Sequence, residues 1–105
     1  MYIGDTVNAL LKSAKYQATK DAPRTFNVGA GRGYSLNQLI AEMRAVCDRP
    51  VDVKYTPARP EDVPANVLDI SAARRWLDWS PEVALSEGLA KTSKWLTSLE
   101  PARAD

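Results

Sequence analysis

The sequence has no histidine and a single cysteine. Neither a Cys/His zinc centre nor a histidine-based nucleophilic triad can be assembled from such a chain. Cys47 has no partner for an internal disulfide, and its place on the apolar side of a helical pattern makes it a small buried hydrophobe. A surplus of one charge sign is missing too: 14 basic residues against 13 acidic ones leave +1. Both signs are interspersed and no basic stripe forms, so nucleic acid is disfavoured as a partner. No apolar run approaches the roughly 20 residues of a membrane span, and no signal-peptide pattern is present. A membrane is therefore not expected as a partner, and the expected location is cytoplasmic.

What is there is ordinary globular material, 45% apolar and 26% charged over 105 residues, enough for one domain with a modest core. Asp5 is placed to cap a first helix, with Val7, Leu10, Leu11, Ala14 and Ala18 on one face to about Lys20. Arg24 to Val28 reads as a short strand running into Gly29-Ala30-Gly31-Arg32-Gly33. Ser35 and Gln38 form a capping box for a second helix, which carries Leu36, Leu39, Ile40, Met43 and Val46 on one face and stops before Pro50. Val51 to Tyr55 alternates like a strand, and Asn66 to Ile70 reads as a short extended piece. Ser71 caps a brief helix through Leu77, and Asp78 follows it in a position that needs a left-handed backbone. Ser86 opens the last helix, with Leu89, Thr92, Trp95, Leu96 and Leu99 on one side. Trp76, Trp79 and Trp95 read as core. The expected class is α+β, with helices covering a small sheet.

One segment carries a candidate site. In Thr56-Pro57-Ala58-Arg59-Pro60-Glu61-Asp62-Val63 an Arg and an Asp stand three residues apart in a loop stiffened by proline. A guanidinium presents a rigid fork of donors to phosphate oxygens, and a nearby carboxylate accepts from sugar hydroxyls. Together they suit a nucleoside diphosphate, although a solvated ion pair has the same spacing. Two other patterns are lures. Tyr16-Gln17-Ala18-Thr19-Lys20 matches a Tyr-x-x-x-Lys acid/base pair, but it falls at the polar end of the first helix with no Ser-containing strand before it. Gly29 to Gly33 resembles a dinucleotide fingerprint, but Tyr34 occupies the third glycine position, so a tight strand-to-helix turn is the better account. Glu61, Asp62 and Glu82 read as solvated charges, and Arg74 and Arg75 as helix surface.

Motifs occur along the chain in a telling order. They are Thr25-Phe26-Asn27-Val28-Gly29-Ala30-Gly31, Ser35-Leu36-Asn37-Gln38-Leu39-Ile40, Arg49-Pro50-Val51-Asp52-Val53, Arg59-Pro60-Glu61-Asp62-Val63, Leu68-Asp69-Ile70-Ser71, Trp76-Leu77-Asp78-Trp79-Ser80-Pro81 and Leu85-Ser86-Glu87-Gly88-Leu89, followed by Trp95. From about Tyr2 to Leu99 this resembles the C-terminal, substrate-binding part of the NAD-dependent nucleotide-sugar epimerase/dehydratase family, the extended short-chain dehydrogenases, with UDP-glucose 4-epimerases nearest.

The resemblance implies a substrate-binding lobe over residues 1–99, truncated on its N-terminal side; residues 100–105, beyond the last helix, are expected to be a disordered tail. It implies that Arg59 contacts the diphosphate or ribose region of an NDP-sugar, most simply a UDP-sugar, and that Asp62 accepts from ribose hydroxyls. Glu61 stands where relatives often carry Gly. The Rossmann half of such enzymes, with the catalytic pair and the NAD site, has no counterpart in these 105 residues. NAD is thus expected in the complete enzyme and not in this chain, which is expected to be inactive alone and to bind its ligand weakly. The expected partners are the NDP-sugar, that missing half, and a second copy of the chain through residues 2–18. Two other readings stand beside this one: a non-catalytic interaction module that keeps the family fold, and a small helical nucleic-acid binder, which the charge does not favour.

Overall fold

The computed structural model describes residues 1–99, and all regular structure among them is helical: α1 (Ile3–Lys15), α2 (Leu36–Val46), α3 (Ser71–Leu77) and α4 (Leu85–Leu99). The expected α+β class is therefore wrong. The strand-like runs at 24–28, 51–55 and 66–70 form no ladder among the described residues. The reason is physical: alternation shows that a segment has two unlike faces, but a strand exists only where another strand takes its backbone groups. Val51 and Val53 are half-buried while Asp52, Lys54 and Tyr55 are exposed, so the alternation persists without the sheet only as far as Lys54. The tail expected at 100–105 lies outside the described residues.

The chain groups into two compact units. The first comprises Met1–Gly33 and Ala65–Val83, the second Tyr34–Pro64 with the residues from Ala84 onward. In the first unit α1 packs on α3, and the core is Ala9, Ile70, Ala73, Leu77 and Trp79, flanked by Tyr16, Phe26 and Val28. Two alanines at the helix contact let the backbones approach closely, and Trp79, only 1% exposed, is the largest fully buried side chain.

The first helix is shorter than expected. It ends at Lys15, because Tyr16 turns out of the helix (φ −72°, ψ 128°) and sets its ring edge-on to Phe26 at 5.2 Å. Ala18 therefore lies beyond the helix. Asp5 is not its cap: Tyr2 occupies that position and Asp5 lies within the first turn. The short α3 closes as expected, with Asp78 left-handed at φ 48°, ψ 45°, and the Trp79 N–H donating to the Ala73 carbonyl at 3.3 Å. Its start differs, since Asp69 Oδ1 accepts the Ser71 N–H at 2.8 Å and Ser71 is the first helical residue.

In the second unit α2 packs against α4. The capping box of α2 is fully formed: the Ser35 N–H donates to Gln38 Oε1 at 2.8 Å and the Gln38 N–H donates to Ser35 Oγ at 3.1 Å. Leu39, Ile40, Met43 and Val46 are half-buried, whereas Leu36 at the helix start is exposed. Gly88 is the buried residue of α4, and Trp95, Leu96 and Leu99 are exposed. Only Trp79 of the three tryptophans is core; Trp76 is partly exposed under the Arg75 guanidinium, whose carbon lies 5.5 Å from its ring centroid.

Candidate functional site

The proline loop of the second unit turns at 59–62, where the Asp62 N–H donates to the Arg59 carbonyl at 3.1 Å. That turn points the two side chains at each other. Arg59 donates from Nη2 to Asp62 Oδ1 at 2.9 Å and from Nε to Asp62 Oδ2 at 3.3 Å. The result is a two-pronged ion pair on the surface, with both side chains more than half exposed. In water such a pair contributes little to stability, roughly 0–1 kcal/mol.

Its geometry has a chemical consequence. Asp62 occupies the Nε/Nη2 side of the guanidinium, which leaves the Nη1/Nη2 end directed away from the carboxylate. That end is a second bidentate edge suited to two oxygens of one phosphate. The pair thus orients the fork before any ligand arrives, and only part of each group's bonding capacity is used. Glu61 is exposed beside it. The lead-in to the loop is tethered to α2, since the Tyr55 hydroxyl donates to Asn37 Oδ1 at 3.3 Å and Arg44 Nη2 donates to the Val51 carbonyl at 3.5 Å.

The two lures fall elsewhere. Tyr16 has its hydroxyl buried in the first unit without a hydrogen-bond partner, while Lys20 is exposed in a turn. They form no acid/base pair. In the glycine loop, Gly31 has φ +68°, and an added Cβ there would lie 2.8 Å from Ile70 Cδ1; one on Gly33 would lie 2.9 Å from Val67 Cγ2. The protein's own side chains crowd these two glycines on the side where a Cβ would stand. Glu82 is exposed, and its N–H is taken by Asp5.

Asp5 is the residue that sequence reading missed. It is 5% exposed, and its two carboxylate oxygens accept the N–H groups of Glu82 at 3.1 Å and Val83 at 3.2 Å. Its carbonyl accepts the Trp79 indole N–H at 3.1 Å. One residue of α1 thus holds the whole 79–83 segment. Asp5 and Ala9 share a helical face opposite the apolar stripe, and nothing in the spacing says that this face is the one turned inward.

Among the described residues no three His, Cys, Asp or Glu side chains gather as a metal site, and no helix is long and apolar enough to cross a membrane. No family model matches the chain. Curated proteins do. Over 95 residues, 90% of the chain, it is 30% identical to a UDP-glucose 4-epimerase of Yersinia pestis. Over nearly its whole length the chain is similar to nucleotide-sugar epimerases and reductases. It is also 32% identical over 92 residues to a UDP-glucose 4-epimerase of Mycolicibacterium smegmatis, and 29% identical over 94 residues to a dTDP-4-dehydro-6-deoxyglucose reductase of Escherichia coli. These matches agree with the resemblance to the C-terminal part of the family. The chain spans only 28–29% of the length of these relatives.

Proposed function

We propose that the chain supplies a nucleotide-sugar-binding surface of an epimerase of the UDP-sugar 4-epimerase type. Arg59 meets the diphosphate through its outward edge, and Asp62 accepts from the ribose hydroxyls. The observation that carries the reading is the pre-oriented Arg59–Asp62 pair in a chain related to UDP-glucose 4-epimerases over 90% of its length. In this reading the substrate is an NDP-sugar, and hydride transfer through NAD takes place on a dinucleotide-binding half of the complete enzyme. With Tyr34 in the third glycine position of the 29–33 loop, no step through NAD is assigned to this chain's own residues. The isolated chain is then inactive and binds at millimolar strength, in the cytoplasm.

The test is an NMR titration with UDP and UDP-sugars. Amide signals of residues 56–64 are expected to shift, and Arg59→Ala to weaken binding by about 1.5–3 kcal/mol, the loss of a charge-assisted hydrogen bond. Unchanged spectra at saturating UDP would overturn the reading. They would favour a non-catalytic interaction module instead, which the exposed apolar side of α1 supports. A homodimer through residues 2–18 is compatible with either role.

A further inference from the structure

Two side chains of α2 reach the run that leads into the proline loop. The Tyr55 hydroxyl donates to Asn37 Oδ1, and Arg44 Nη2 donates to the Val51 carbonyl. Asn37 and Arg44 are about two helical turns apart, so they share one face of α2 and stand about 10 Å apart along its axis. The run from Val51 to Tyr55 spans at most about 13 Å. These contacts join the start of the helix to the end of the run and the end of the helix to its start. Residues 51–55 therefore lie antiparallel along α2, with Val51 and Val53 half-buried.

This arrangement fixes the approach to Arg59. Its anchor is itself held, because Asn37 is the second residue of α2 and lies within the Ser35/Gln38 capping box. Beyond Tyr55, proline restricts most of the backbone. Pro57 and Pro60 have a fixed φ, and Thr56 and Arg59, each standing before a proline, are driven to extended conformations. Between Tyr55 and the turn, Ala58 alone keeps ordinary freedom. The turn is then closed by the Asp62 N–H on the Arg59 carbonyl. A displacement at Tyr55 is thus carried on to the guanidinium.

We infer that Asn37 and Tyr55 are positioning residues for the nucleotide-sugar site: they act through Arg59, and their hydrogen bond sets where its outward edge stands. The inference deepens the proposed role of Arg59 and rests on it. The bond is neutral and Tyr55 is 76% exposed, so it contributes little to the stability of the fold. Its effect is on the population of loop arrangements. When the fraction of molecules with the fork in place falls, the apparent dissociation constant rises by the same factor. A neutral hydrogen bond shifts such a balance by roughly two- to tenfold. A length of 3.3 Å puts this one in the lower half of that range.

Asn37→Ala separates positioning from a merely structural role, because it moves binding and stability in different directions. Alanine is the better helix former, so the full chain should be no less stable in urea. Its binding of UDP-glucose, followed by NMR titration, should nevertheless weaken about two- to fivefold. Tyr55→Phe should weaken it equally and the double variant no further, since both changes remove the same bond. A second readout needs no ligand. In the free protein the amide signals of Arg59 and Asp62, far along the chain from the substitution, should move in Asn37→Ala. They should return toward their parent positions in Asn37→Asp, which keeps an acceptor. If the parent binds no UDP-glucose, the functional reading fails, and the free-protein signals still decide about the tether. Unmoved amides at 59–62 in Asn37→Ala, a lower urea midpoint for that variant, parent affinity in both single variants, or a double variant whose loss equals the two single losses added together would each overturn the inference.

Discussion

Replacing Asp5 with Asn is the sharpest probe of how the first unit is held together. The carboxylate sits in a buried place and receives two backbone N–H groups, from Glu82 and Val83. Asn keeps the size and one acceptor oxygen, but its amide nitrogen is a donor and must face one of those two donors. One charge-assisted bond, worth roughly 1.5–3 kcal/mol, is lost, and the surviving bond becomes a neutral one. The neutral side chain is easier to bury, which offsets part of the loss. We expect a net destabilisation of about 2–3 kcal/mol, and about 3–5 kcal/mol for Asp5→Ala, which leaves both N–H groups without a partner. Against a total of roughly 5–15 kcal/mol that is a large share, equivalent to roughly 10–20 °C in Tm for the Asn variant. The assay is urea unfolding followed by tryptophan fluorescence. Trp79 is the buried tryptophan and donates to the Asp5 carbonyl, whereas Trp76 and Trp95 are partly exposed, so the signal reports on this unit. Asp52→Asn, on an exposed side chain, is the control and should stay within about 0.5 kcal/mol of the parent. If the Asp5→Asn midpoint coincides with that of the parent, the clamp is not a source of stability and the reasoning fails.

Tyr16→Phe should be neutral or stabilising by up to about 1 kcal/mol in the same assay, because the buried hydroxyl it removes has no hydrogen-bond partner; a clear loss would point to a partner for that hydroxyl. Asp78→Gly should gain about 0.5 kcal/mol, since the left-handed backbone suits glycine and Lys12 donates to the carbonyl, which remains; a loss would mean that the exposed Lys12–Asp78 ion pair matters more than the backbone. The Asp69 carboxyl is held below its ordinary 3.8, first by the Ser71 backbone N–H, then by the Ser71 side chain and by Arg74. Its contribution is therefore complete above pH of about 4 and is lost as pH falls through that value and the lower folded one, so Asp69→Asn should flatten the stability profile below pH 4 and leave the slope above pH 5 unchanged.

Much of the local structure was legible because it is decided within a few residues. The Ser35/Gln38 box joins groups three positions apart, and the left-handed turn at Asp78 follows from the end of a seven-residue helix before Trp79. The Arg59–Asp62 pair is likewise local and forms as its spacing allows. What failed depends on distant groups. The runs at 24–28 and 51–55 have strand composition but no neighbouring strand among the described residues. The stripe on α1 was recognised as a face, yet periodicity cannot say which side of a helix meets the core. That choice is made by Asp5 through partners 77 and 78 positions away, and those partners are backbone N–H groups that leave no mark in the sequence. The family relation was readable because it rests on the order of motifs and not on any of these contacts.

The clamp between residue 5 and residues 82–83 also sets a clock. At about 5–20 residues per second on the ribosome, roughly 4–16 seconds separate the synthesis of Asp5 from that of its partners. During that interval the 13 residues of α1 have neither Trp79 nor α3 to pack on, and a helix of that length is marginal by itself in water. The nascent chain therefore carries the apolar side of this helix uncovered and only partly helical until residues 82–83 have been made. A chaperone that binds short apolar segments should engage residues 3–14 early in synthesis and release them once Val83 has emerged.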